Sequence, residues 1–132
     1  MRNNKENLLT IAMILFAISS TLSFIAQSKS DLAIENALYF RNGNDALQED
    51  NNSIRVLRSL CDGMDNNSTA CYEYNQKLKS ISNYNSDLSE KLKEYNENYQ
   101  KSNKQSKTFN ILSFLSLLSG LILAIISFNQ KD

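Results

Sequence analysis

Apolar residues gather at the two ends of the chain, and the stretch between them is polar but periodic. Residues 8–26 read LLTIAMILFAISSTLSFIA and residues 108–128 read TFNILSFLSLLSGLILAIISF, neither with a charged side chain. Each is close to the ~20 residues that a helix needs to cross a bilayer. The pattern predicts an all-α membrane protein with two transmembrane helices. The first stretch also has features of a secretory signal, with Arg2 and Lys5 before it and Ala26-Gln27-Ser28 after it. Its apolar run exceeds the ~7–15 residues usual for such a signal, so an uncleaved anchor is expected.

Between the spans, the sharpest pattern is Tyr74, Leu78, Ile81, Asn85, Leu88, Leu92, Tyr95 and Tyr99. The alternating steps of four and three are those of a coiled-coil seam, interrupted by one asparagine of the kind that sets register at some cost in stability. With no proline to break a helix, glycine becomes the main punctuation. Gly43 lies in Arg41-Asn-Gly-Asn-Asp45 and Gly63 in Cys61-Asp-Gly-Met-Asp65, both turn-like clusters. The expected helices are therefore 7–41, 45–61 and 69–129, with Asp45 as an N-cap.

At 1.5 Å per residue, the parts of the first two helices outside the membrane span roughly 22 and 25 Å, and that of the third roughly 57 Å. The first two together nearly match the third. This favours a helical hairpin, coiled-coil-like, joining the two spans. The alternative is a compact four-helix ectodomain with a break from Asn83 to Asp87, where Asp87-Leu-Ser-Glu90 resembles a capping box. The hairpin is the preferred layout because the heptad passes through Asn85 without a phase jump.

The expected segments are a short cytoplasmic tail (1–7), a first span (8–26), a helical extracytoplasmic region (27–107), a second span (108–128) and a second short cytoplasmic tail (129–132). A bare count of flanking charges slightly favours the opposite orientation, with the middle in the cytoplasm. Arg2, Lys5 and Lys131 flank the spans on the terminal side, and Lys29, Lys101, Lys104 and Lys107 flank them on the other. Long loops translocate largely regardless of such counts, and the first span usually dominates. An external middle also suits its chemistry. Cys61 and Cys71, the only cysteines, bracket a short polar turn in the way an oxidising compartment would stabilise as a disulfide. Asn51, Asn66 and Asn67 each begin an Asn-x-Ser/Thr triplet and are candidate glycosylation sites.

Composition narrows the function classes. Fourteen basic and fourteen acidic side chains cancel, so no long-range field recruits nucleic acid. Histidine is absent, which removes the commonest general base and metal ligand. No cofactor or metal site is expected: the cysteine spacing is neither a zinc nor a redox motif, and the oxygens of 62–67 do not follow an EF-hand order. Neither span contains the ionisable residue that marks an ion pathway. What the spans offer instead are small residues: Ser116, Gly120 and Ala124 every fourth position in the second, and Ala12, Ser19, Ser23 and Ala26 in the first. Small residues let membrane helices approach closely, either within the chain or against another subunit.

By elimination the sequence points to a non-enzymatic, membrane-anchored helical subunit, an accessory component of a larger membrane assembly or a homo-oligomer in contact with lipid. The alternative is a two-span sensor or ligand-binding ectodomain that signals through a separate partner.

Overall fold

A computed structural model describes residues 2–63 and 69–129, with the side chains of 2 and 3 left out. It has two helices, α1 (Arg2–Asp62) and α2 (Thr69–Asn129), each of 61 residues, and no strand among the described residues. Both are long and apolar enough to cross a membrane.

Contacts divide the chain into two units, residues 1–33 with 100–132, and residues 34–99. In unit 1, Lys5 meets Ser127, Leu15 meets Ser116, Ser19 meets Ser113 and Ala26 meets Ser106. Numbers rise along one helix as they fall along the other, so the pair is antiparallel. In unit 2, Tyr39 stacks on Tyr95 at 5.2 Å between ring centroids, Gly43 abuts Leu92, and Cys61 faces Cys71. This unit too is an antiparallel pair.

The seam of unit 2 follows the heptad. From Tyr74 to Tyr99, the eight residues at 4,3 spacing are buried or half-buried and every residue between them is exposed. A sustained 3.5-residue period makes two helices wind around each other with a left-handed twist. On the facing helix, Phe40, Gly43, Leu47, Asp50, Ile54, Leu57 and Cys61 keep the same period and the same partial burial.

One expected interruption is absent, and so is the break that the alternative layout requires. α1 runs through residues 41–45 without a break, which corrects the two-helix reading of its first 61 residues. Gly43 is there for proximity: a Cβ at this position would run into the Leu92 side chain, so the missing methyl is what lets Leu92 seat against α1. α2 likewise continues through Asn83 and Asp87, so the four-helix layout that needs a break there is not the one observed. Among the described residues no glycine has positive φ, so Gly63 follows α1 without a left-handed backbone.

Candidate functional site

Unit 1 inverts the distribution expected of a water-soluble helix pair. Its interior holds Ala12, Ser19, Ala26 and Ala33 from α1 and Ser102, Ser106, Ser113 and Ser127 from α2, all buried. Most of its large apolar side chains point outward, with Phe24 75% and Phe128 72% exposed and Ile14, Ile111 and Phe114 each more than half exposed. Water would penalise such an arrangement, whereas hydrocarbon does not distinguish between leucine and lipid tails.

Short side chains bring the two backbones close enough for hydroxyls to reach across. Ser106 Oγ donates to the Ala26 carbonyl at 2.9 Å, Ser116 Oγ to that of Leu15 at 2.8 Å, and Ser127 Oγ to that of Lys5 at 3.1 Å. At the centre, Ser19 and Ser113 are reciprocal: each hydroxyl lies 2.9 Å from the other residue's carbonyl oxygen. Ser23 Oγ then lies 2.7 Å from Ser113 Oγ. One assignment of protons satisfies all three, with Ser23 donating to Ser113, Ser113 to the Ser19 carbonyl and Ser19 to the Ser113 carbonyl. Three hydroxyls on the outer face are satisfied within their own helix. Thr10, Thr21 and Ser119 donate to the carbonyls of Glu6, Ala17 and Leu115 at 2.9, 3.0 and 2.9 Å. Where no water is available, such back-bonding spares each hydroxyl the cost of standing unpaired.

Gly120 belongs to this interface. A Cβ built on it would lie 2.9 Å from Phe16 Cε1 and 3.3 Å from the Ala12 carbonyl oxygen. Of the three residues expected to form a packing face, Gly120 is buried against α1, Ser116 is bonded to α1, and Ala124 is half-buried. The small residues that sequence reasoning underused are Ser106 and Ser127. With Ser113 and Gly120 they recur every seventh residue, and Ala12, Ser19, Ala26 and Ala33 repeat the same interval on α1. Their spacing was the available signal.

Ser113 is the most connected hydroxyl of this interface. Ser113→Ala is expected to cost the span pair about 1–2 kcal/mol, the upper part of the range for hydrogen bonds between membrane helices. Ser119→Ala, on the outer face, is expected to cost much less. Denaturant unfolding in mixed micelles measures both.

At the far end of unit 2 from residues 34 and 99, Cys61 and Cys71 are both buried thiols in the structure. Cys61 Sγ is 3.9 Å from the Cys71 carbonyl, and Asn75 Nδ2 lies 3.6 Å from Cys71 Sγ. Burial pushes the Cys61 thiol above its ordinary pKa, and the hydrogen bond with Cys71 and electrostatic repulsion from Cys71 and Asp62 push it the same way. Folding thus favours the neutral thiol. This contribution is present below the ordinary thiol range and is lost as pH rises through the raised value. In the reduced chain, alkylation of Cys61 by iodoacetamide should therefore be slow at neutral pH and accelerate only above the ordinary range. Cys71→Ser should bring that acceleration to lower pH, which a pH series of labelling rates measures.

Asn66 and Asn67 lie outside the described residues, while Asn51 is exposed on α1. Asn51 lines an open groove of about 860 Å³ in unit 2, together with Asn44, Gln48, Arg55, Arg58 and Ser82. At its floor is Asn85, whose Oδ1 is buried and has no hydrogen-bond partner. Among the described residues no group of three or more His, Cys, Asp or Glu side chains converges to hold a metal ion.

Comparison with known proteins adds no identity. No family model, curated protein or solved structure matches the chain.

Proposed function

We propose that this protein is a non-catalytic, membrane-anchored helical subunit, an accessory part of a larger membrane assembly. The observation that carries the reading is the reversal in unit 1: hydroxyls and small residues face inward and satisfy each other, while isoleucine, leucine and phenylalanine face outward. A helix pair of this kind is finished on its inner side and can serve only through its outer one. Ser116 and Gly120 are taken up by α1. Contact with another membrane subunit, or with a second copy, accordingly falls to the outward apolar side chains.

In this reading α1 and α2 each cross the bilayer once, and residues 27–107 form a helical hairpin region outside the cytoplasm, with both termini inside. Cys61 and Cys71 close as a disulfide there, and Asn51, Asn66 and Asn67 are the glycan acceptors. The neighbouring buried positions of the two thiols support closure, which by loop-entropy reasoning is worth about 2.5–3 kcal/mol. Labelling of Cys61 and Cys71 in intact cells tests the orientation. Labelling that appears only after lysis into denaturant, without reductant, would contradict it.

Purification in a native detergent followed by mass spectrometry tests the role. Stoichiometric co-purification with other membrane proteins is expected, and a monodisperse lone monomer would contradict the proposal. The second reading, a ligand-binding ectodomain, draws on the groove beside Arg55 and Arg58 and on the orphaned Asn85 oxygen. It requires a separate signalling partner.

A further inference from the structure

The end of unit 1 at which the second apolar span begins is basic. Lys101, Lys104 and Lys107 follow one another at three-residue steps just before residues 108–128, and α2 contains no acidic residue between Glu97 and the end of that span. On α1 the same end carries Lys29 and one acid, Asp31. Beside the lysines, α2 has a shallow groove of about 270 Å³ lined by Gln100, Asn103, Lys104, Lys107, Thr108 and Ile111. Its upper part offers two ammonium groups and two carboxamides. Thr108 is occupied, its hydroxyl donating to the Lys104 carbonyl at 3.0 Å. Below it, Ile111, Leu115 and Leu118 continue along the outward face as exposed apolar side chains.

A ligand fitting this surface has an anionic head with several acceptor oxygens and an apolar tail directly beneath it. We infer that Lys101, Lys104 and Lys107, with Gln100 and Asn103, form a headgroup site for an anionic phospholipid whose acyl chain lies along Ile111, Leu115 and Leu118. The phosphate oxygens accept from the lysine ammoniums and the side-chain amides, and the long lysine stems keep the charges at headgroup level. The inference rests on the reading that residues 108–128 cross a bilayer.

The full chain in neutral detergent can be titrated with phosphatidylglycerol or with phosphatidylcholine and the bound lipid counted by native mass spectrometry. Phosphatidylglycerol is expected to bind more tightly, with a preference that falls as salt rises. Each Lys→Gln change among Lys101, Lys104 and Lys107 should weaken it about fivefold, the ratio for roughly 1 kcal/mol per lysine at an anionic surface. K77Q/K79Q/K91Q removes equal charge from unit 2 and should leave the preference intact. Equal binding of the two lipids, a K101Q/K104Q/K107Q chain that behaves like the unsubstituted one, or displacement by an equal concentration of glycerol phosphate would each overturn the site. Insertion into pure phosphatidylcholine vesicles tests the span separately: failure there overturns the membrane reading, whereas insertion without a phosphatidylglycerol preference overturns only the lipid site.

Discussion

Gly120→Leu is expected to separate the two apolar segments of unit 1, with a loss of at least about 3 kcal/mol, at the top of the range for overpacking a closely fitted interior. Even a single methyl meets Phe16 Cε1 at 2.9 Å and the Ala12 carbonyl at 3.3 Å, and only the first of these can swing aside. Leucine has no position that avoids both. Wedging the helices apart there also stretches the flanking bonds from Ser116 to Leu15 and from Ser127 to Lys5. Gly120→Ala provides the graded control. In an unconstrained helix the change stabilises by about 1 kcal/mol; here the clash should cancel that gain, and Phe16→Ala should restore it. Denaturant unfolding in mixed micelles measures all three variants, and a plain gain from Gly120→Ala would show that the close approach is absent.

Asn85→Leu is expected to act in the opposite direction, stabilising unit 2 by about 2 kcal/mol. Burying an acceptor without a partner costs about 1–3 kcal/mol, and leucine at the same seam position removes that cost while adding apolar contact with α1. The gain should come with a loss of specificity, because a polar seam residue penalises shifted registers and alternative oligomers. Hydrogen exchange of the amides around residue 85 measures the stability, and sizing of the detergent-solubilised chain measures the oligomeric state. Destabilisation by Asn85→Leu would mean that its oxygen has a partner after all.

The two apolar segments and the heptad of α2 were legible in the sequence because each is a long pattern with one dominant period. All eight residues read as the seam are buried or half-buried in the structure. Gly43 was misread because Asn-Gly-Asn is locally a turn signature. Its lack of a side chain serves a neighbour 49 positions away, Leu92, which local spacing cannot reveal. The capping-box resemblance at Asp87 failed for a related reason: helix-start signals are weak, and an uninterrupted seam on both sides outweighs them. In the second span the sequence pattern singles out Ser116, Gly120 and Ala124 at four-residue intervals, as in tightly crossed membrane helices. The observed interval of seven belongs to helices that stay side by side, and it placed Ser106, Ser113 and Ser127 at the interface with Gly120. The proton arrangement linking Ser19, Ser23 and Ser113 depends on distances between backbones and has no counterpart in sequence spacing.

The central claim is that the two apolar segments pair with each other within one chain, face to face through Ser19 and Ser113, in the membrane. The most direct measurement replaces both serines with cysteine in a Cys61→Ser, Cys71→Ser background and oxidises intact membranes. Their hydroxyls are 3.0 Å apart, well within reach of a disulfide. The account predicts a cross-link within a single chain, formed in high yield and without doubling of mass, whereas a cross-linked dimer or no cross-link would contradict it.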